Sequence, residues 1–349
     1  MYRVGIIGAG RPWRSTGATG FGMAHMHAEG YRASSDACLV AVADLSLDNA
    51  RAFQQRHSVG AVYQDYRAML AQERLDIVSI CTWPHLHAEM VIACAESGVR
   101  AVHCEKPMAP TFGEAKRMIV ACEASGTQLT FNHQRRFGEP FRAARHLLRA
   151  GAIGMLRRME ATCTDLFDWG THWFDMLFFF NDETPVEWVI GQIDTRDSRT
   201  IFGVTVEGQG VSQFRFHNGV TGMVLTGASA PDPLIIRLYG ERGMIEIGGS
   251  DQAPLRLWNE RAPGWQTIDV SEGLHDAACH TRAILDLIDA LSTGREPELS
   301  ARRALRATEV IFASYESSRR RGRVDLPLTI DDSPLAAMMA LDGSATERT

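Results

Sequence analysis

The N-terminal stretch constrains the fold of this 349-residue chain more than any other part of its sequence. Val4 to Ile7 is a continuous apolar run, and the glycine-rich turn Gly8-Ala9-Gly10 follows it directly. This pattern predicts a buried strand that ends in the turn of a dinucleotide-binding unit. Gly8 permits the tight turn, Gly10 lets the backbone approach a pyrophosphate, and the N-terminus of the next helix attracts the negative charge.

The spacing after this turn departs from the usual pattern. The third glycine is expected three residues after Gly10, but Pro12-Trp13 occupies that region. The spacing favours Gly22 as its substitute, which opens the first helix after an insertion from Arg11 to Phe21. Two interpretations of the insertion stay open: it covers the cofactor phosphates or reaches the substrate, or it is a solvated loop.

A second apolar run, Leu39 to Ala43, ends in Asp44. An acidic residue at the end of the second strand hydrogen-bonds the ribose hydroxyls of a dinucleotide, and a spacing of about twenty residues after the last glycine is typical. The residues that follow, Leu45 to Leu47, include no arginine that could bind a 2′-phosphate. The sequence therefore predicts NAD as the cofactor and disfavours NADP.

Apolar runs and helical segments continue to alternate, which predicts a doubly wound parallel sheet over residues 1–130. The run Leu75 to Cys81 leads into a predicted loop over residues 82–87, and the run Val99 to Cys104 ends in Glu105-Lys106-Pro107. Ligands bind at the carboxyl edge of such a sheet. The charged pair is therefore a candidate for function, and a solvated loop that Pro107 ends is the alternative.

The second half of the chain predicts a different architecture over residues 131–330. Strand-like segments, among them Leu234 to Tyr239, follow one another from residue 186 to residue 258 without helices between them. This succession predicts a mostly antiparallel sheet. Two late helices follow, and the second, over residues 301–320, is expected to pack back on the first domain. Residues 331–349 form a C-terminal tail.

Acidic and imidazole side chains open an apolar helix in this half, in the run Asp168-Trp169-Gly170-Thr171-His172, with Asp175 three residues further on. If the helix begins near Asp168, then Asp168 and His172 lie on one face. A carboxylate beside an imidazole fixes its tautomer and raises its basicity, which suits the deprotonation of a hydroxyl. The alternative is that Asp168 caps the helix and His172 is a core histidine.

These motifs, in this order, resemble the family of glucose–fructose oxidoreductase, inositol 2-dehydrogenase and MocA. Glu105-Lys106-Pro107 is the most specific of them, and the insertion after Gly10 is the main departure. The resemblance implies an N-terminal Rossmann domain and a C-terminal α+β domain on a large open sheet. It also implies a homo-oligomer, a dimer or tetramer, that assembles through this sheet.

The resemblance further implies roles for individual residues. Lys106 points at the substrate hydroxyl next to the nicotinamide, Glu105 lies beside the nicotinamide ribose, and the Lys106–Pro107 peptide bond is expected to be cis. His172 is the implied acid/base, and Asp168 supports the site. The other assigned residues bind cofactor (Gly8, Gly10, Gly22, Asp44, Thr82 and His87) or substrate (Arg136, Asp175 and His275).

The expected reaction is hydride transfer between a secondary hydroxyl of a sugar, inositol or related polyol and nicotinamide, with Lys106 polarising the hydroxyl and His172 removing its proton. Two alternatives stay open. One is a redox-neutral glycosidase that oxidises its sugar transiently on tightly held NAD. The other is an NAD- or sugar-binding regulator without turnover.

Composition argues against several other classes of protein. A net charge of −6, from 36 basic and 42 acidic residues, disfavours a surface that binds nucleic acid. The sequence contains no run of eighteen apolar residues, so it predicts no membrane-spanning helix. The seven cysteines form no C-x-x-C pair, and no histidine cluster has the spacing of a structural zinc site, so we assign no metal. A cytoplasmic location is expected.

Overall fold

The computed structural model describes residues 1–227, 230, 235–249 and 253–346. Leu234, at the start of a predicted strand, and residues 347–349 of the predicted tail lie outside the described residues. The chain divides into two compact units. The first comprises residues 1–110, 114–134 and 277–304, and the second comprises residues 111–113, 135–276 and 305–349.

The first unit is built on six short apolar strands: β1 (Tyr2–Ile7), β2 (Ala37–Ala43), β3 (Ala61–Tyr63), β4 (Ile77–Ile80), β5 (Ala101–Cys104) and β6 (Gln128–Phe131). They form one parallel sheet in the order β3-β2-β1-β4-β5-β6. The chain reverses its direction of winding between β1 and β4, which creates the crevice where ligands bind in sheets of this kind.

Helices connect these strands: α1 (Met23–Arg32), α2 (Leu47–His57), α3 (Tyr66–Gln72), α4 (Pro84–Glu96) and α5 (Phe112–Ser125). The predicted loop over residues 82–87 is shorter than expected, because α4 begins at Pro84. Proline suits the first turn of a helix, because a backbone N–H at that position has no hydrogen-bond partner within the helix.

A late helix, α8 (Ala278–Thr293), also belongs to the first unit, although the sequence analysis assigned it to the second domain. It packs on α1, where a Cβ on Gly30 would lie 2.8 Å from Ile284. Leu287 of α8 joins the buried cluster around Val4 and Tyr31, and its carbonyl oxygen accepts a hydrogen bond from Gln128 at 3.1 Å. The packing of α8 on α1, and not its position late in the chain, therefore places this helix in the first unit.

The second unit contains the strands of a larger sheet: β7 (Leu156–Cys163), β8 (Val186–Asp194), β11 (Gln209–Phe216), β12 (Thr221–Thr226), β13 (Ile235–Gly240), β14 (Gly243–Ile247), β15 (Leu255–Asn259), β16 (Gln266–Thr267) and β17 (Val324–Asp325). A separate hairpin pairs β9 (Arg199–Ile201) with β10 (Val204–Val206). The large sheet runs β16-β15-β14-β13-β7-β12-β11-β8-β17, and its pairs are antiparallel except for β7 with β12. The predicted fold class is confirmed.

Among the described residues, four α-helices accompany this sheet: α6 (Glu139–Arg149), α7 (Gly170–Phe180), α9 (Ala301–Arg320) and α10 (Pro334–Thr346). Every residue of α7 is buried, and the indole N–H of Trp173 donates to the carbonyl oxygen of Thr162 in β7 at 2.7 Å. This contact holds α7 against the middle of the sheet. No helix within the described ranges is long and apolar enough to cross a membrane.

Helix α9 was expected to pack on the first domain, and its first four residues belong to the first unit. The remainder packs closely on β8 and β11. The hydroxyl of Ser317 accepts from the backbone N–H of Gly191 at 2.8 Å, and the hydroxyls of Ser212 and Ser314 lie 2.7 Å apart. Small and hydroxyl side chains on α9 permit this approach.

We expect Gly191→Ala to destabilise the second unit. An added Cβ would overlap the carbonyl oxygen of Ser314 in α9, a backbone atom that cannot move aside. Overpacking of this kind costs about 1–3 kcal/mol, to be measured as a loss in the free energy of unfolding in urea. Gly273→Ala is the control, since no described atom lies within 4 Å of its Cβ position. Equal losses in both variants would contradict the close contact.

Candidate functional site

The turn after β1 has the geometry that a dinucleotide phosphate needs. Gly8 and Gly10 have φ angles of 86° and 56°, in the left-handed region that favours glycine. A Cβ on Gly8 would lie 2.8 Å from Cγ2 of Thr82, whereas a Cβ on Gly10 would meet no described atom within 4 Å. Packing against Thr82 therefore requires Gly8, and Gly10 leaves open space for a phosphate group.

Helix α1 begins directly after Gly22, where the sequence analysis placed its start. Among the described residues, no side chain caps this end and no acidic residue lies in the first turn. The first amide groups of α1 therefore suit an anion. A Cβ on Gly22 would lie 2.6 Å from the carbonyl oxygen of Arg11, so the two ends of the insertion meet and the residues between them loop out.

The looped-out segment carries an arginine at its base and two aromatic rings. Nε of Arg11 donates to Oδ1 of Asn49 in the first turn of α2, at 3.0 Å. Trp13 and Phe21 are 53% and 49% exposed, and their ring centroids lie 5.9 Å apart. The guanidinium of Arg14 lies 4.0 Å from the Trp13 ring. The insertion thus places cationic and aromatic groups beside the glycine turn.

Asp44 lies next to the same turn, at the end of β2. Its Oδ2 accepts from the backbone N–H of Gly10 at 3.0 Å, and its Oδ1 accepts from that of Ser46 at 2.8 Å. These two bonds fix the carboxylate beside the glycine turn, at the position where a dinucleotide presents its ribose. The open space at Gly10, the uncapped start of α1 and Asp44 together fit NAD.

Glu105 is a buried carboxylate at the carboxyl edge of β5. Its Oε1 accepts hydrogen bonds from His27 of α1 at 2.9 Å and from Asn132 at 2.7 Å. Burial by itself raises the pKa of Glu105, but these hydrogen bonds and the nearby imidazoles outweigh it and lower the pKa to about 2. The fold therefore holds Glu105 ionised.

A chain of hydrogen bonds from buried hydroxyl groups reaches the other ring nitrogen of His27, Nδ1. The Tyr31 hydroxyl lies 2.9 Å from Oγ of Ser79, which lies 3.1 Å from Nδ1 of His27. When Nε2 of His27 donates to Glu105, Nδ1 accepts from Ser79, so this chain selects one tautomer of the ring. The orientation of His27 is thus set from inside the sheet.

Lys106 directly follows Glu105, and its backbone N–H donates to Oε2 of Glu105 at 3.3 Å. The Lys106–Pro107 peptide bond is cis, as the resemblance implied. The fully buried imidazole of His87 holds this loop: its Nδ1 lies 3.0 Å from the carbonyl oxygen of Pro107, and its Nε2 lies 3.1 Å from that of Thr82. His87 therefore joins the loops that follow β4 and β5. We expect His87 to influence cofactor binding through the positions of these loops.

In the second unit, Asp168 lies in the turn before α7 and not in the helix, which begins at Gly170. The expected helical face shared by Asp168 and His172 is therefore wrong. The reason is Asp165, which accepts hydrogen bonds from the backbone amides of Asp168 and Trp169 and so closes a turn there. Both Asp168 and His172 are 5% exposed.

Arg136 and Asp175, both predicted to bind substrate, bind each other. Nε and Nη2 of Arg136 donate to the two carboxylate oxygens of Asp175, each at 2.8 Å, and Nη1 donates to Glu183 at 2.5 Å. Arg136 and Asp175 are almost fully buried and form a bidentate pair, and their role in substrate binding stays a prediction.

His275, the third predicted substrate residue, is exposed. Its ring packs edge-on against Trp169 with centroids 5.7 Å apart, and its Nδ1 lies 3.3 Å from Nη2 of Arg135. The structure thus brings His275 to Trp169, at the start of α7.

Four residues that organise these sites were not predicted from the sequence: His27, Asn132, Asp165 and Glu207. The partners of His27, Asn132 and Glu207 lie far away along the chain, so no local spacing reveals these three residues. One signal was available in Ser79, a polar residue inside a buried apolar run, because such a residue requires a hydrogen-bonding partner. Among the described residues, no group of three or more His, Cys, Asp or Glu side chains is arranged to hold a metal ion.

Comparisons with known proteins decide the family. The sequence pattern of the oxidoreductase family with an NAD-binding Rossmann fold (GFO/IDH/MocA) matches residues 2–133, and that of the GFO/IDH/MocA C-terminal domain matches residues 165–246. The chain belongs to this oxidoreductase family. The family predicted from the motifs is thereby confirmed, and the protein is an enzyme whose named relatives are dehydrogenases.

Two curated relatives and one solved structure illustrate the similarity. D-apiose dehydrogenase of Paraburkholderia graminis is 26% identical over 90% of this chain and 89% of its own. Inositol 2-dehydrogenase of Rhizobium meliloti is 25% identical over 93% of this chain and 99% of its own. Levoglucosan dehydrogenase in complex with NADH and L-sorbose shares the fold, with a TM-score of 0.80 and 22% identity over 94% of this chain and 99% of that chain.

We expect the stability difference between the wild type and Glu105→Gln to depend on pH. The lowered pKa of Glu105 means that its stabilising effect is complete above the ordinary glutamate pKa of 4.5 and is lost as the pH falls towards 2. The difference in free energy of unfolding should therefore shrink by about 3 kcal/mol over this range, measured by urea unfolding. A difference that stays constant down to pH 2 would contradict an ionised, hydrogen-bonded Glu105.

Proposed function

We propose that this protein is an NAD-dependent dehydrogenase that transfers a hydride between a secondary hydroxyl of a sugar, inositol or related polyol and the nicotinamide. The observation that carries the proposal is the Glu105-Lys106 pair at the carboxyl edge of β5, where His27 and Asn132 hold Glu105 ionised. The names of the relatives, a D-apiose dehydrogenase and an inositol 2-dehydrogenase, support the substrate class.

The first unit supplies the proposed cofactor site. Gly10 and the start of α1 after Gly22 would hold the pyrophosphate, and Asp44 would accept hydrogen bonds from the adenosine ribose. Thr82 and Glu105 would lie along the nicotinamide half. NAD, when bound, supplies the acceptor of the hydride. We propose NAD over NADP because a 2′-phosphate would meet the negative charge of Asp44.

Lys106 and His172 are the proposed catalytic residues, with Asp168 in support. The ammonium of Lys106 would donate a hydrogen bond to the substrate hydroxyl and stabilise the negative charge that develops on its oxygen. The imidazole of His172 would take the hydroxyl proton. Asp168, two residues before α7 begins, would orient the site through a second hydroxyl, His172 or Lys106.

Lys106→Ala should lower kcat by about 10²–10³-fold, because it removes the donor that stabilises the developing oxyanion. The dissociation constant for NAD, measured by calorimetry, should change little. Lys116→Ala is the matched control, since Lys116 on α5 is the other lysine of the chain. Turnover is to be followed as formation of reduced nicotinamide with a panel of sugars and polyols. A Lys106→Ala enzyme that turns over like the control would refute the role of Lys106.

That substrate panel also separates the alternatives. Tight NAD binding with release of an aglycone and no net reduced cofactor would favour the redox-neutral glycosidase. Tight binding of NAD with no reaction of any kind would favour the regulator. The homo-oligomer through the large sheet and the cytoplasmic location stay predictions from the sequence.

Asp44→Ala should shift the preference between cofactors. Loss of the carboxylate removes a charged acceptor for the ribose, worth about 1.5–3 kcal/mol, so kcat/KM for NAD should fall by roughly 10–100-fold. The kcat/KM for NADP should not fall, since the variant no longer has the Asp44 carboxylate that repels the 2′-phosphate. Asp48→Ala, an exposed position in the first turn of α2, serves as the control. Equal losses with both cofactors would argue against a ribose contact.

A further inference from the structure

Two fully buried carboxylates, Asp165 and Glu207, hold the turn that leads into α7. The backbone amides of Asp168 and Trp169 donate to Oδ1 of Asp165. The backbone amide of Leu166 donates to Oε1 of Glu207 at 2.6 Å. Three amides of a four-residue turn are therefore satisfied by these two side chains.

The two acids are anchored in turn to other elements of the second unit. Oδ2 of Asp165 accepts from Arg199 of β9 at 3.2 Å. Oε2 of Glu207 accepts from the hydroxyl of Tyr315 in α9 at 2.7 Å, and its Oε1 also accepts from the hydroxyl of Thr226 at 3.2 Å. The turn is thereby fixed to α9 and to the end of β12.

We propose that Asp165 and Glu207 are positioning residues, which fix the backbone of the turn before α7 and thereby the positions of Asp168 and His172. This inference rests on the proposed function, in which those two residues serve the reaction. A helix is usually capped by the side chain of the residue before it, but that residue is Trp169, whose indole offers no acceptor. Asp165 instead accepts from the backbone amides of Asp168 and Trp169, the two residues that precede the helix, and so fixes the turn from which α7 begins.

Gly170, the first residue of α7, shows how closely the backbone is held. Its N–H donates to the carbonyl oxygen of Asp165 at 2.8 Å, and a Cβ on Gly170 would lie 2.8 Å from that same oxygen. Displacement of Asp165 would therefore move the beginning of α7. His172 lies in the first turn of that helix and would move with it.

The pair also couples this turn to pH. Burial and the negative charge of Asp165 raise the pKa of Glu207 to about 7, because two neighbouring carboxylates resist ionising together. The other groups that face the pair are Arg199, Tyr315, Asp168 and Cys163 of β7. The fold favours the protonated form of Glu207, so its stabilising effect is complete below pH 4.5 and is lost as the pH rises through about 7.

Hydrogen exchange tests the proposal without a substrate. We expect the protection of the amides of Leu166, Asp168 and Trp169, corrected for intrinsic rates, to fall about tenfold per pH unit above pH 5 and to level off near pH 7. In Glu207→Gln, which mimics the protonated acid, the protection should not change with pH. A Glu207→Gln protein that keeps the wild-type pH dependence, or a wild type without one, would overturn the proposal.

Two further variants complete the exchange experiment. Glu246→Gln is the matched control, because Glu246 is buried in the same unit but pairs with Arg237 and Arg256; it should keep the wild-type pH dependence. If Glu207→Gln does not fold, Asp165→Asn replaces it. Loss of the neighbouring charge should shift the levelling-off point to a lower pH, and an unshifted point would overturn the proposal.

Kinetics then link the turn to the reaction. Asp165→Ala should lower kcat at least tenfold and leave KM for NAD unchanged, since all proposed cofactor-binding residues belong to the first unit. An unchanged kcat would overturn the positioning role in catalysis. If the wild type shows no turnover with any polyol, the proposed function fails, while the exchange measurement still decides whether the two acids hold the turn.

Discussion

The hydrogen bond between Glu105 and His27 is the interaction on which the arrangement of the first unit depends. It keeps a negative charge buried at the edge of β5, which is tolerable only because Asn132 and the imidazole both donate to it. His27 lies on α1, the helix that begins at Gly22 beside the glycine turn. One bond therefore ties the phosphate end of the proposed cofactor site to the loop that carries Lys106.

The second unit uses the same kind of group with the opposite electrostatic outcome. Glu207 is as deeply buried as Glu105, and it too accepts good hydrogen bonds. Its neighbour, however, is the carboxylate of Asp165 and not an imidazole, so its pKa rises where that of Glu105 falls. The lowered pKa of Glu105 keeps this acid charged at neutral pH, whereas the raised pKa of Glu207 favours its protonated form.

Particular residues show where reasoning along the chain succeeded and where it failed. The Lys106 loop was placed correctly at a strand end, because an apolar run followed by a charged pair is a local pattern. The start of α7 was misplaced by two residues, because Asp165 closes a turn with amides that belong to the expected helix. The pairing of Arg136 with Asp175 was not predicted, because the two residues lie 39 positions apart in the sequence.

The sequence by itself determined the alternation of strands and helices, the glycine turn, the acid that ends β2 and the family. All of these depend on residues that are neighbours in the chain. Only the tertiary structure decided that His27 and Asn132 hold Glu105, that α8 packs on α1, and that Glu207 supports the turn before α7. Burial is the physical reason, because a buried polar group must find a partner wherever the fold brings one, and no local spacing encodes that choice.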